Sequence, residues 1–293
     1  MTSTYGTPAA PITRRRRTRD DYPHGRDAAD PITPTGAFRP TDLRSVRALI
    51  RQPWYAAITL VQPVIWLLLF GQLFRSVVHI PGFASSQDGS GSYLEFISPG
   101  VIMMTVLFSA AWAGTIYIED MNRGVMDRLL ASPVSRGAMM IGTLAYQVIT
   151  TLIQTLVVFG IAYAAGGRYP GGTTGILLTM VAASLLCVIF AAMSNAVALL
   201  ARTQEALIGI SQFLSLPLAF VSSAVMAIAL APDWLQTVAR YNPVDWAVVV
   251  SRQALSADPD WGAVLPRLGA LALLAIGMAW LATRAFRTYQ RST

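Results

Sequence analysis

The stretch TGILLTMVAASLLCVIFAAMSNAVALL, residues 174–200, contains no charged side chain and ends just before Arg202. A membrane span needs about 20 largely apolar residues, so this stretch is long enough to cross a bilayer. Working outward, further apolar segments lie at about 54–74, 96–118, 139–164, 206–230 and 263–285. Their edges are marked by charge: Glu95 and Glu119 bound the second, Glu205 precedes the fifth, and Arg267 lies near one end of the sixth. Charged residues are 13% of the chain and hydrophobic ones 54%, with mean hydropathy +0.50. An average soluble domain carries about 25% charged residues, which decides for a bilayer. The pattern predicts an all-α integral membrane protein of six transmembrane helices.

Orientation follows from the distribution of basic residues. All 22 are Arg, and ten of them precede the first apolar segment. With both termini inside, the inner side also holds Arg123, Arg128, Arg136, Arg202, Arg284, Arg287 and Arg291. The outer side then keeps Arg75, Arg168, Arg240, Arg252 and Arg267. The count predicts an N-in, C-in topology. The formal charge of +7 therefore reflects the tail and inner loops and gives no reason to expect nucleic acid.

Residues 1–38, rich in Pro, Thr, Arg and Asp, carry no hydrophobic period and read as a disordered cytoplasmic tail. Arg14 to Arg17 suit either anionic lipid headgroups or a solvated, topology-setting role. Residues 41–51 follow as an amphipathic helix. Leu43, Val46, Leu49 and Ile50 share one face and Arg44, Arg47 and Arg51 the neighbouring one, the pattern of an interfacial helix. Between the fifth and sixth segments, residues 231–261 hold Trp234, Tyr241, Trp246 and Trp261, punctuated by Pro232, Pro243 and Pro259. The apolar pieces there are too short to span. They read as short re-entrant or interfacial helices, or as an ordinary aromatic belt.

Several chemistries are disfavoured. Cys187 is the single cysteine, and His24 and His79 are far apart, so no cysteine or histidine metal site is expected. A P-loop needs a Lys at the phosphates, and the chain has none. A lipid-modifying membrane enzyme would need paired carboxylates or a His–Asp group at one membrane face. The clearest adjacent carboxylates beside a span, Glu119-Asp120, open a charged loop running to Arg136. Its mixture of charge with Val125, Leu129 and Leu130, ended by Pro133, forms a short amphipathic helix suited either to docking a protein or to a solvated connection.

The order of several short motifs resembles the permease subunits of ABC-2 type transporters, especially the daunorubicin-resistance-like drug exporters. These are the Arg-bearing segment, Gln62-Pro63 with Phe70-Gly71, and Phe96-Ile97-Ser98-Pro99-Gly100. Then come Glu119 to Arg136 with Gly124 and Pro133-Val134-Ser135-Arg136, and Asn242-Pro243 with Arg252. The resemblance spans about residues 39–290, so 39–293 is expected to be one ABC-2 type transmembrane domain. One departure is Ser222-Ser223, where such permeases often carry Ser-Gly.

The resemblance implies a permease subunit without its own ATPase, pairing with a second permease, identical or related. Two copies of a separate P-loop ATPase subunit would carry the ATP and Mg. It further implies that 41–51 is a connecting helix carrying Arg44, Arg47 and Arg51. The ATPase-coupling helix, about 120–134, would involve Glu119, Asp120, Asn122, Arg123, Gly124, Asp127, Arg128, Leu129 and Pro133. The expected cargo is an amphiphilic drug, antibiotic or lipid moved outward across a bacterial cytoplasmic membrane. A polysaccharide or lipid-linked glycan is the alternative.

Met103, Met104, Phe108 and Trp112, with Phe213 and Phe220, offer an adaptable greasy lining for such a path. The same residue types also face lipid or neighbouring helices. Gln62, Gln147, Gln154, Asn195 and Gln212 are polar candidates within spans, where such residues commonly join helices by hydrogen bonds.

Overall fold

The computed structural model describes residues 61, 63–69, 71–72, 93–124, 136–224, 228 and 231–289. The tail 1–38 and the connecting helix with Arg44, Arg47 and Arg51 lie outside the described residues, as do Gln62, Phe70, Asp127, Arg128, Leu129 and Pro133. Among the described residues every regular element is helical. Besides helical residues within 61–72, they are α1 (Tyr93–Ala111), α2 (Thr115–Asn122), α3 (Arg136–Ala164), α4 (Gly172–Ala201), α5 (Gln204–Phe220), α6 (Asp233–Ala239), α7 (Pro243–Leu255) and α8 (Trp261–Tyr289).

Among the described residues, four stretches are long and apolar enough to cross a membrane: Leu94–Asn122, Met139–Ala164, Gly172–Ala201 and Trp261–Ala285. The first joins α1 and α2 through a short break. At 1.5 Å per residue the 30 residues of α4 extend about 45 Å, more than a hydrocarbon core of about 30 Å. The bounds expected from charge for the third, fourth and sixth segments agree with α3, α4 and α8 to within a few residues.

The fifth segment differs. Its helix stops at Phe220, whereas an apolar run to residue 230 had set the expected end. Val221 to Ala224 form turns instead. Ser223 does not take a positive φ there, so the backbone places no demand for glycine at the Ser222-Ser223 departure. The aromatic region resolves into α6 and α7. Pro232 stands at the N-cap of α6 and Pro243 at the first position of α7, where a missing N–H costs nothing.

The fold is built around α4. Ala182, Ala183, Leu186, Cys187, Phe190, Ala191 and Ala198 along it are all buried. It packs against α1, α3, α7 and α8. Small residues allow that crowding, since without a hydrophobic drive between helices in lipid close backbone approach sets the packing. At its start, Gly171 and Gly175 lie against the end of α7. A Cβ on either would come within 2.2–2.3 Å of the Ala254 carbonyl oxygen.

By contrast α8 buries one narrow stripe, Val264, Leu271, Ala275 and Ala282. Most of its length is not buried, and Leu273, Ile276 and Trp280 are exposed. Such a face is at home against lipid tails and out of place in water.

Cys187 offers a simple check on this core. It is fully buried, so a maleimide added to the folded protein in detergent is expected to leave it unmodified and to label it as the protein unfolds. Rapid labelling of the folded protein would place α4 at the surface.

Candidate functional site

Three polar assemblies interrupt the apolar bundle. One lies in the middle of the first long stretch. At Trp112-Ala113-Gly114 the helix ladder gives way to turns. The hydroxyl of Ser194 on α4 fills the gap: it donates to the Ala111 carbonyl at 2.6 Å and accepts the Gly114 N–H at 2.9 Å. Ser211 on α5 donates to the same carbonyl at 2.9 Å. Insertion of a side chain into the ladder is a recognised cause of sharp bends. Gly114 is required by contact, because a Cβ there would sit 2.4 Å from the Ser194 carbonyl oxygen.

Below the break, α2 carries the charged end of the bundle. Glu119 and Arg123 form an ion pair of 3.3 Å with both side chains exposed. Gly124, at φ +66°, ends the helix, its N–H donating to the Met121 carbonyl. Asp120 and Asn122 lie in the same last turn. On its buried side Tyr117 approaches the Thr143 hydroxyl of α3 at 3.0 Å, and the Asn195 side-chain amide of α4 lies 3.5 Å from that hydroxyl. Gln147 donates to Ser109 at 3.0 Å, joining α3 to α1. Gln147 and Asn195 thus connect helices. Gln154 is buried, and Gln212 is half-buried.

The third assembly fastens the opposite end, where α7 clasps the turn after α5. Asn242 is buried, and its side-chain amide donates to the carbonyls of Leu218 and Val221, each at 2.7 Å. Its oxygen accepts the Val244 N–H at 2.9 Å and so caps α7. One turn on, the Asp245 carboxylate accepts the Ser223 N–H at 2.8 Å. Two turns further, Arg252 donates to the Ser223 carbonyl at 2.8 Å and reaches the Phe96 carbonyl at 3.4 Å. Its guanidinium lies 3.9 Å above the Phe96 ring. Planarity and weak hydration suit Arg to that combined role. The turn is pressed onto α1 at Gly100, where a Cβ would fall 1.8 Å from the Ala224 carbonyl oxygen.

The greasy candidates divide. Met103 is buried in the core, and Met104 and Phe108 are partly buried against it. Trp112 is 41% exposed, at the break. Phe213 and Phe220 are 81% and 72% exposed and share the open face of α5 with Ile210, Leu214 and Leu216. Its opposite face carries Leu207, Ser211, Ser215 and Ala219, all buried.

Sequence reading did not single out Ser194, Ser211 or Asp245. Gly114 inside an apolar run was the available sign of a break; the two serines carry no local sign. Asn242, Gly100 and Arg252 entered as motif residues, and their contacts give each a structural reason.

Comparisons with known proteins find transport permeases. A permease named ycf38 from Porphyra purpurea is 28% identical over 221 residues, covering 74% of this chain and 74% of its own length. The daunorubicin resistance ABC transporter permease protein DrrB1 of Streptomyces coeruleorubidus is 26% identical over 232 residues, covering 74% and 78%. A doxorubicin resistance ABC transporter permease protein, DrrC, from Mycobacterium tuberculosis is 24% identical, covering 67% and 69%. Residues 43–255 match the family model for the ABC-2 type transporter, and with the apolar helices and their polar interruptions in place, the chain belongs to the ABC-2 type transporter family.

Proposed function

We propose that this chain is the membrane subunit of an ATP-driven exporter, pairing with a second permease, identical or related, and with two copies of a separate P-loop ATPase that binds ATP and Mg. It has six spans, N-in and C-in, in a bacterial cytoplasmic membrane, and moves an amphiphilic drug, antibiotic or lipid outward. The observation that carries this reading is the exposed charged turn from Glu119 to Gly124 at the end of a broken span, in a family of transport permeases. Two relatives named for daunorubicin and doxorubicin resistance support the cargo class. The open face of α5 with Ile210, Phe213, Leu216 and Phe220 is apolar, which supports a greasy cargo; a glycan path would carry polar groups beside its aromatics.

Residues 41–51 and about 120–134 are then the parts that touch the ATPase. Arg44, Arg47 and Arg51 lie on the first; Glu119, Asp120, Asn122, Arg123, Gly124, Asp127, Arg128, Leu129 and Pro133 lie on or beside the second. Of the greasy candidates, Trp112, Phe213 and Phe220 have exposed side chains, which supports a part for them in the cargo path. Nucleotide-driven closure of the ATPase shifts the balance between two helix packings through the contacts at the docking loop.

Co-expression with a P-loop ATPase encoded beside this chain tests the reading. The two proteins should co-purify, and inverted vesicles should take up daunorubicin in an ATP-dependent way. Reversing charge at Arg123 and Arg128 together should weaken the complex or let ATP turn over without uptake. An exposed ion pair contributes about 1 kcal/mol or less, so losing the Glu119–Arg123 pair should not unfold the protein. A chain that purifies alone and transports without regard to ATP would refute the proposal.

A further inference from the structure

We infer that the break at Trp112-Ala113-Gly114 is a transmission joint, with Ser194 and Ser211 as its positioning residues, about which α2 moves while α1 stays fixed. The inference rests on the ATP-coupled reading above and adds where within the permease the motion is taken up.

The backbone supplies the first support. Through the break the hydrogen bonds shorten to three-residue spacing: Trp112 to Ser109, Ala113 to Ala110, Thr115 to Trp112 and Tyr117 to Gly114. Such a tightened stretch in the middle of a span often marks a hinge. The Ala111 carbonyl and Gly114 N–H use serine hydroxyls instead. In a bilayer an unpaired backbone group is costly, so a break there persists only where side chains satisfy it.

Redundancy supplies the second. The Ala111 carbonyl accepts from two hydroxyls carried by different helices. Either donor alone keeps it satisfied, so α2 can turn against one helix without exposing a bare carbonyl to lipid.

The third is the unequal fastening on the two sides. Above the break α1 is held by Gln147 at Ser109, by the turn pressed on Gly100, and by Arg252 at Phe96. Below it α2 has eight residues, and its cross-helix side-chain ties run through Tyr117 to Thr143 and Met140. Force arriving at Glu119 to Gly124 meets a short lever before it meets a fixed body.

Spin labels on cysteine pairs in the complete complex, in vesicles, test this. One pair, Ile116 with Leu177, spans from α2 to the far end of α4; the other, Met104 with Leu200, reports on α1. The partner positions Leu177 and Leu200 are exposed, and buried Cys187 stays silent. On trapping with ATP and vanadate, the Ile116 distance should shift by about 2 Å or more while the Met104 distance holds. In Ser194→Ala/Ser211→Ala the Ile116 distance should lose its nucleotide dependence while ATP hydrolysis continues.

Equal shifts at both pairs would mean the span moves as one body and would overturn the joint. So would no shift at either pair while ATP is hydrolysed, or a double variant that responds like the parent. A chain that binds no ATPase removes the function proposed above, and the joint with it; that outcome is read from co-purification before any distance is measured.

Discussion

Gly100→Ala is expected to destabilise the protein by about 3 kcal/mol or more, although it adds a single methyl group. That methyl would lie 1.8 Å from the Ala224 carbonyl oxygen and 2.6 Å from its carbon. Both are backbone atoms, so no side chain can swing aside to relieve the contact. The turn from Val221 to Ala224 must lift, and lifting it pulls the Ser223 N–H from Asp245 and the Ser223 carbonyl from Arg252. Thermal unfolding in detergent measures the loss. Gly160→Ala is the control, because a Cβ there meets nothing within 4 Å. Within a helix that change should be neutral or stabilise by up to about 1 kcal/mol. Equal behaviour of the two variants would show that the turn does not rest on α1.

Asn242→Ala should cost a comparable amount through hydrogen bonding. The buried side chain uses both amide protons and its oxygen, on Leu218, Val221 and Val244. Truncation leaves two carbonyls and one N–H without partners, and each buried unsatisfied group costs about 1–3 kcal/mol. A total of about 3 kcal/mol or more is expected. Asn242→Asp separates the parts. The carboxylate can still cap α7, yet it cannot donate to the two carbonyls and places negative charge beside them. It should therefore be nearly as damaging as Ala, measured by thermal unfolding and by protease cleavage after Phe220. A mild Asp variant would mean that the cap, and not the hold on α5, is the main contribution.

The parts of the fold legible in sequence are those governed by local composition. Charged residues flank α3, α4 and α8, and because a charge is costly in lipid their ends were found to within a few residues. The break in the first stretch escaped because hydropathy averages across Gly114, while its cause lies 80 and 100 residues away in Ser194 and Ser211. The early end of α5 escaped for the same reason: residues 221–230 are largely apolar and resemble a continuing span. What ends the helix is Asn242, which takes the carbonyls of Leu218 and Val221. Among the functional candidates, the charge pattern at Glu119, Asp120 and Arg123 was visible. Asp245 was not, since nothing local distinguishes it from Asp233, Asp258 and Asp260 in the same aromatic region as the carboxylate that will hold the Ser223 amide.

The connection between α4 and α5 consists of Arg202, at φ +58°, and Thr203. So short a link makes the pair an antiparallel hairpin with its two legs level. Ser194 precedes the last residue of α4 by seven positions, and Ser211 follows the first residue of α5 by seven. At 1.5 Å per residue both hydroxyls sit about 10 Å from the link, which is how two helices come to grip one carbonyl. The link is thus a depth gauge. A residue inserted between Arg202 and Thr203 would touch neither serine, yet it would slip one prong of the fork past the other and leave Ala111 held on one side.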